Sequence, residues 1–114
     1  MTLEQIINML ELKVLTEQAD FSRIEPVSGY VSDMLSCVMT GAGKKGVWIT
    51  LQAHNNIVAV ASLLDLAAVI ITENAIPDDA TINKANEEGI ALLSTPKKSF
   101  EIVGRLWEMG LRDK

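Results

Sequence analysis

Three apolar runs set at one spacing constrain this chain more than any other feature. Val47, Val69 and Ala91 each open such a run, and consecutive openings lie 22 residues apart. The units read VWITLQAHNNIVAVASLLDLAA, VIITENAIPDDATINKANEEGI and ALLSTPKKSFEIVGRLWEMGLR. Each is a run of strand length, a polar corner, and a stretch with helical spacing. Alternation at so short a period implies parallel strands joined by right-handed crossovers. Runs as continuous as VIIT fit a sheet covered on both faces. Thr50, Thr72 and Ser94 occupy the same position in each unit. The helical stretches differ too much to count as a duplication.

The first half is less regular. TLEQIINML places Leu3, Ile6, Ile7 and Leu10 at helical spacing, and Thr2 with Gln5 has the form of a capping box. ELKVLTEQ reads as a short strand in which Lys13 alternates with Leu12 and Val14. VSGYVSDML reads as a strand with Val27, Gly29 and Val31 on one face. It runs into a short helix, DMLSCVMT, with Asp33 as its cap. GAGKKG is a glycine-rich turn. In the periodic half, His54 or Asn55 caps a helix through Leu66. Pro77, Asp78 and Asp79 favour the start of the next helix, and Gly89 ends it. Thr95 or Ser99 caps the last helix. Ser99 is preferred, because Lys97 and Lys98 sit badly in a first turn. The expected fold is α/β, a mainly parallel sheet of four to five short strands with helices on both faces, in one domain over residues 1–114.

Composition narrows the function classes. A chain of 114 residues, 48% of them apolar, can bury a core and is not disordered. Its net charge of −5 argues against nucleic acid as a partner, since a phosphate backbone needs a basic footprint. The single Cys37 excludes an intrachain disulfide and fits a reducing compartment. The opening MTLEQIINMLEL carries Glu4 and Glu11 without Lys or Arg, so it is not a signal peptide. Ile57 to Ala68 is too short to span a bilayer and is broken by Ser62 and Asp65. A soluble, cytoplasmic protein without a membrane partner is expected.

In a parallel α/β sheet, ligands bind at the carboxyl ends of the strands. Thr50, Gln52, His54 and Asn55 follow the first periodic strand, with Asn56 beside them. Thr72, Glu73 and Asn74 follow the second, and Ser94, Thr95, Lys97 and Lys98 the third. These groups donate and accept hydrogen bonds, and helix amino ends add partial positive charge. The combination suits a small polar or nucleotide-like ligand, although turns and caps there are polar in any such domain. His54 is the only histidine. With no second histidine and no nucleophile in view, it reads as a cap or surface group and not a catalyst. Cys37 reads as a small buried hydrophobe. GAGKKG lacks the phosphate-loop pattern and precedes a strand, so it reads as a turn with two solvated lysines. Trp48, Trp107 and Phe100 fall in core-facing patterns and read as core or interface. IVAVASLLDLAA is apolar nearly all round, either fully buried or half in a subunit interface. Its small residues Ala59, Ala61, Ala67 and Ala68 would allow close packing in a homodimer. No catalytic residue, metal or cofactor is expected.

The segments MTLEQIINMLELKVLT, VSGYVSDMLS, GVWITLQAHNNIVAVASLLDLAAVIIT and IPDDATINKANEEGIALLSTPKKSFEIVGRL together resemble the DRTGG domain family. The likeness covers nearly the whole chain. Within that family the chain resembles the small stand-alone members often found beside iron hydrogenase genes in anaerobic bacteria and archaea, which carry a similar WIT-Q-H-NIVAVA-L-DLA core. Pro77, Thr95 and Phe100 also fit the pattern. At the name-giving corners the chain differs. Leu51, Gln52, Ala53 and His54 stand where the broader family tends to have a glycine-aspartate-arginine turn. Thr72, Glu73 and Asn74 stand where it tends to have threonine and two glycines. Only Thr72 carries over, and a carboxylate at Glu73 repels a phosphate.

The resemblance implies an α/β fold similar to the amino-terminal domain of HPr kinase/phosphorylase, frequent dimers, no cofactor and no established catalytic activity. Such domains occur as regulatory-looking modules beside CBS domains, in some inorganic pyrophosphatases and in some phosphotransacetylases. The leading reading is a non-enzymatic regulatory module, homodimeric, with a small polar or nucleotide-like ligand, a protein partner, or both, at the strand carboxyl edge. The alternative is a protein-interaction component of a hydrogenase-linked signalling or maturation system, with no small-molecule ligand. An enzyme using His54 with Glu73 or Cys37 would need those side chains within hydrogen-bond reach, directly or through one water.

Overall fold

The computed structural model describes residues 1–17 and 19–113. Helix α1 spans Leu3–Leu10, and its capping box is complete: Thr2 accepts from the Gln5 N–H, and the Gln5 side chain accepts from the Thr2 N–H. Strand β1 is Lys13–Val14, and a single 3-10 turn, Phe21–Arg23, leads to β2, Gly29–Val31. Helix α2 is Leu35–Gly41. The periodic half follows as β3 (Val47–Thr50), α3 (Asn56–Leu63), β4 (Ala68–Ile71), α4 (Asp79–Glu88), β5 (Leu92–Ser94) and α5 (Ser99–Glu108).

Among the described residues the sheet has five strands, in the order β1-β5-β4-β3-β2. Strands β2 to β5 run parallel, and β1 pairs antiparallel with β5. Helices cover both faces, as the sequence predicts. Leu3, Ile6 and Leu10 of α1 and Ile102 and Leu106 of α5 pack on one face, against Val47, Ile49, Ile70 and Leu93. Val38 of α2, Ile57 and Ala61 of α3 and Ala85 of α4 pack on the other, against Trp48, Val69, Ile71 and Leu92. Alternate residues of every inner strand therefore enter different cores, which is why the strands are apolar throughout.

The spacing of 22 conceals an offset. Val47 pairs with Ala68 and Thr50 with Ile71, whereas Val69 pairs with Leu92 and Ile71 with Ser94. Paired positions are thus 21 residues apart across β3 and β4 and 23 apart across β4 and β5. One residue of slip reverses the face of a side chain. Thr50 and Ser94 consequently point with Ile71 toward α3 and α4, and Thr72 points the other way, toward α5. The shared position of these three residues in the sequence is not a shared position in the sheet.

Several local readings change. Helix α3 ends at Leu63, not Leu66, because Asp65 takes left-handed backbone at φ 53. Asp33 does not cap α2; the cap position is Met34, whose N–H is accepted by Ser32 Oγ. Neither Thr95 nor Ser99 caps α5. Ser99 is its first residue and Lys98 precedes it without a side-chain bond. Val27 lies outside β2, while Gly29 and Val31 share a face. The lysines of GAGKKG are exposed but pair with Asp65, Lys45 at 3.1 Å and Lys44 at 3.8 Å. Trp48 is fully buried and donates through Nε1 to the Ser32 carbonyl at 2.8 Å, but Trp107 and Phe100 lie outside the core. Cys37 is half-buried, its sulfur 3.6 Å from that of Met34. Among the described residues no helix is long and apolar enough to cross a membrane.

Candidate functional site

Because β2 to β5 run parallel, the loops that follow them emerge along one edge of the sheet. The corner after β3 is held by Asp33 from the corner after β2. One Asp33 oxygen accepts from Thr50 Oγ1 at 2.8 Å and from the Leu51 N–H at 2.9 Å. Gln52 donates through Nε2 to the Asp33 carbonyl at 3.1 Å and through its N–H to Thr50 Oγ1 at 3.1 Å. Burying the Thr50 hydroxyl requires such a partner, since an unpaired one costs about 1–3 kcal/mol.

The next two corners are joined to each other. The Glu73 N–H donates to the Lys97 carbonyl at 2.9 Å and the Asn74 N–H to the Thr95 carbonyl at 3.1 Å. Glu73 and Asn74 both adopt left-handed backbone, at φ 60 and 61. These are the positions where the resembled family tends to have glycine, and the conformation is one glycine adopts without steric cost. Beneath them Thr72 donates its N–H to the Thr50 carbonyl at 2.9 Å, and its hydroxyl lies 2.5 Å from that of Ser99.

Helices α2 to α5 all start on this edge, and at the last three the chain's own acceptors occupy the amino ends. His54 Nδ1 accepts from the Asn56 N–H at 3.3 Å at the start of α3. Asp78 accepts from the Thr81 N–H at 2.9 Å at the start of α4. Glu73 accepts from the Ser99 N–H at 3.3 Å at the start of α5. The Thr81 hydroxyl and N–H, with a smaller contribution from His54, hold the Asp78 carboxyl below its ordinary value. Helix amino ends attract anions, so these placements leave the edge less receptive to phosphate than open amino ends would be.

The predicted residues therefore divide. Thr50, Thr72, Ser94 and Thr95 are buried. Thr95 Oγ1 accepts from the Lys97 N–H, and Ser94 pairs with Lys13 of β1. Lys97 turns toward α1, with Nζ 3.3 Å from the Leu10 carbonyl and 3.6 Å from a Glu11 oxygen. His54, Asn55, Glu73 and Asn74 are exposed and Gln52 is half-buried. The same corners and the first turn of α5 also carry three exposed apolar side chains that no polar pattern signals: Leu51, Ile76 and Phe100, the last 93% exposed. Asp33, Asp78 and Ser99 also shape the edge, through contacts between residues distant in sequence or through a cap. No hydrogen bond joins His54, Glu73 and Cys37 to one another among the described residues, and no three His, Cys, Asp or Glu gather there in a metal-binding group.

No protein-family model matches the chain. No curated protein matches it either. A solved structure with a similar fold is that of the CBS and DRTGG domains of the regulatory region of Clostridium perfringens pyrophosphatase, complexed with its activator diadenosine tetraphosphate. The two superpose with a TM-score of 0.74 at 20% identity, over 90% of this chain and 44% of that one. The chain thus spans less than half the length of that structure. What the likeness shows is the fold, an α/β architecture shared with a regulatory region built of CBS and DRTGG domains.

Proposed function

We propose that this chain is a cytoplasmic regulatory module without catalytic activity of its own, and that as a homodimer it binds a small polar or nucleotide-like ligand at the strand carboxyl edge. The observation that carries the reading is the mixed surface of that edge. Corners after three adjacent strands, with the first turn of α5, present the apolar Leu51, Ile76 and Phe100 along with the polar His54, Asn55 and Asn74. Apolar area with a few placed polar groups is one of the features of a small-molecule site. The nucleotide activator bound by the pyrophosphatase regulatory region supports the ligand class. Glu73 at the amino end of α5 disfavours a phosphate there, so the base and sugar of a nucleotide supply most of the contact.

Thermal unfolding in the presence of AMP, ATP or diadenosine tetraphosphate tests this. A ligand that binds only the folded state raises the melting temperature. A concentration-dependent rise that His54→Ala with Phe100→Ala removes is expected; no rise at millimolar ligand sinks the reading. Phe100, so fully exposed, also favours a second reading, a protein-interaction component, for which the resemblance suggests a hydrogenase-linked system. That reading predicts a specific partner in pull-downs, lost in Phe100→Ala, and no response to nucleotides.

A further inference from the structure

A cleft of about 420 Å³ lies along the outer side of β2, lined in part by Leu111, Arg112 and Asp113, away from the carboxyl-edge corners. Val31, Val103, Leu106 and Trp107 contribute to its wall. Strand β2 is the last of the sheet, and the residues flanking it, Ser28 and Ser32, also bond to β3. The Val47 N–H donates to the Ser28 carbonyl at 2.8 Å and the Ser32 N–H to the Ile49 carbonyl at 3.3 Å. Bonding alternates along a parallel strand, so Gly29 and Val31 face outward. The Gly29 N–H is met there by the Arg112 carbonyl at 2.9 Å. Beyond it, the outward N–H and C=O of Val31 have no partner among the described residues.

Apolar side chains flank this open stretch on both sides of the sheet. Val31 is 48% exposed and Trp107, from the α5 side, 50%. Met34 and Met39, from the α2 side, are exposed as well. The opposite edge is different. There β1 has two residues, runs antiparallel, and carries the exposed Lys13. Shortness and lysine are means by which proteins protect sheet edges from pairing. The stretch Ser28–Ser32 has no charge and no proline.

We infer that β2 pairs with β2 of a second copy, antiparallel about a two-fold axis, so that the two five-stranded sheets become continuous. The inference rests on the homodimer reading above and gives it a surface. Charge selects the occupant. A chain of net charge −5 repels its own kind, and copies meet most readily at an uncharged strip. The rim of the cleft carries one charge of each sign, Arg112 and Asp113, a set complementary to itself under a two-fold. The alanine-rich helix competes less well than its sequence promises. Ala61 and Ala68 are fully buried within their own fold, leaving Ala59 and Leu63 outside.

Light scattering on the full chain, with amide exchange read at Val31, tests this. The wild type should be dimeric, and Val31 exchange should slow as protein concentration rises. Val31→Pro removes an N–H that the sheet does not use, and Trp107→Glu places a charge in the cleft; each should yield a monomer with wild-type circular dichroism. Leu63→Glu should remain dimeric. Trp107→Glu decides the matter if Val31→Pro does not fold. A dimer that survives these two substitutions, or that Leu63→Glu breaks, overturns the β2 surface and leaves the homodimer standing. A monomeric wild type with fast exchange at Val31 overturns both, as it would if another protein were the natural occupant.

Discussion

Glu73 and Asn74 hold adjacent left-handed backbone conformations, and each does so for a different reason. Asparagine tolerates that region better than most side chains, whereas glutamate does not. Glu73 is kept there by its N–H on the Lys97 carbonyl and its carboxylate on the Ser99 N–H. Asn74→Ala should therefore cost roughly 1 kcal/mol in urea unfolding, the steric cost of an ordinary residue in this region. Glu73→Gly relieves the backbone but removes the acceptor at the start of α5. It should open that amino end to phosphate, read by calorimetry as tighter binding of ATP than the wild type shows. Asp78 adds a pH dependence. Its folded-state pKa lies below the unfolded value, so its contribution is complete above the ordinary carboxylate range and is lost as pH falls through the lowered value. Asp78→Asn should lose less stability than wild type on acidification below about pH 4, measured by urea midpoints.

Elements were legible in proportion to how local their signals are. The capping box of α1, the Asp78 start of α4 and its left-handed Gly89 end all act within one helical turn. Such patterns sit within a few residues of sequence, and Thr2→Ala should cost about 1 kcal/mol. Asp33 reads in the sequence as a helix cap and Glu73 as a group on the binding edge, yet their partners lie 17 and 26 residues away. No period links them, because the contact exists only after the strands align side by side. Asp33→Ala, which leaves the buried Thr50 O–H without its acceptor, should cost about 1–3 kcal/mol in chemical denaturation. The same logic explains Phe100. Its spacing fits a core face, but α5 is anchored through Ile102 and Leu106, which leaves Phe100 outside. The carboxyl edge itself could be located from the alternation of strands and helices. Which of its groups remain exposed could not, because that depends on how neighbouring loops consume one another's donors and acceptors.

At the scale of the whole molecule, the mainly parallel sheet with helices on both faces follows from the apolar runs alone. Strand order and the antiparallel β1 do not, since no residue of β1 names β5 as its neighbour. The offset of the repeat was also hidden, because equal intervals in sequence do not require equal intervals in the ladder. Paired residues separated by 21 and then by 23 positions mean that the three units are not interchangeable parts. A copy of the first unit grafted in place of the second, aligned on its threonine, would send each strand side chain into the wrong core. Any history of shuffling or lengthening at this period would have had to move by whole pleats, and an engineer splicing these units should cut at the register of the sheet, not at the period of the sequence.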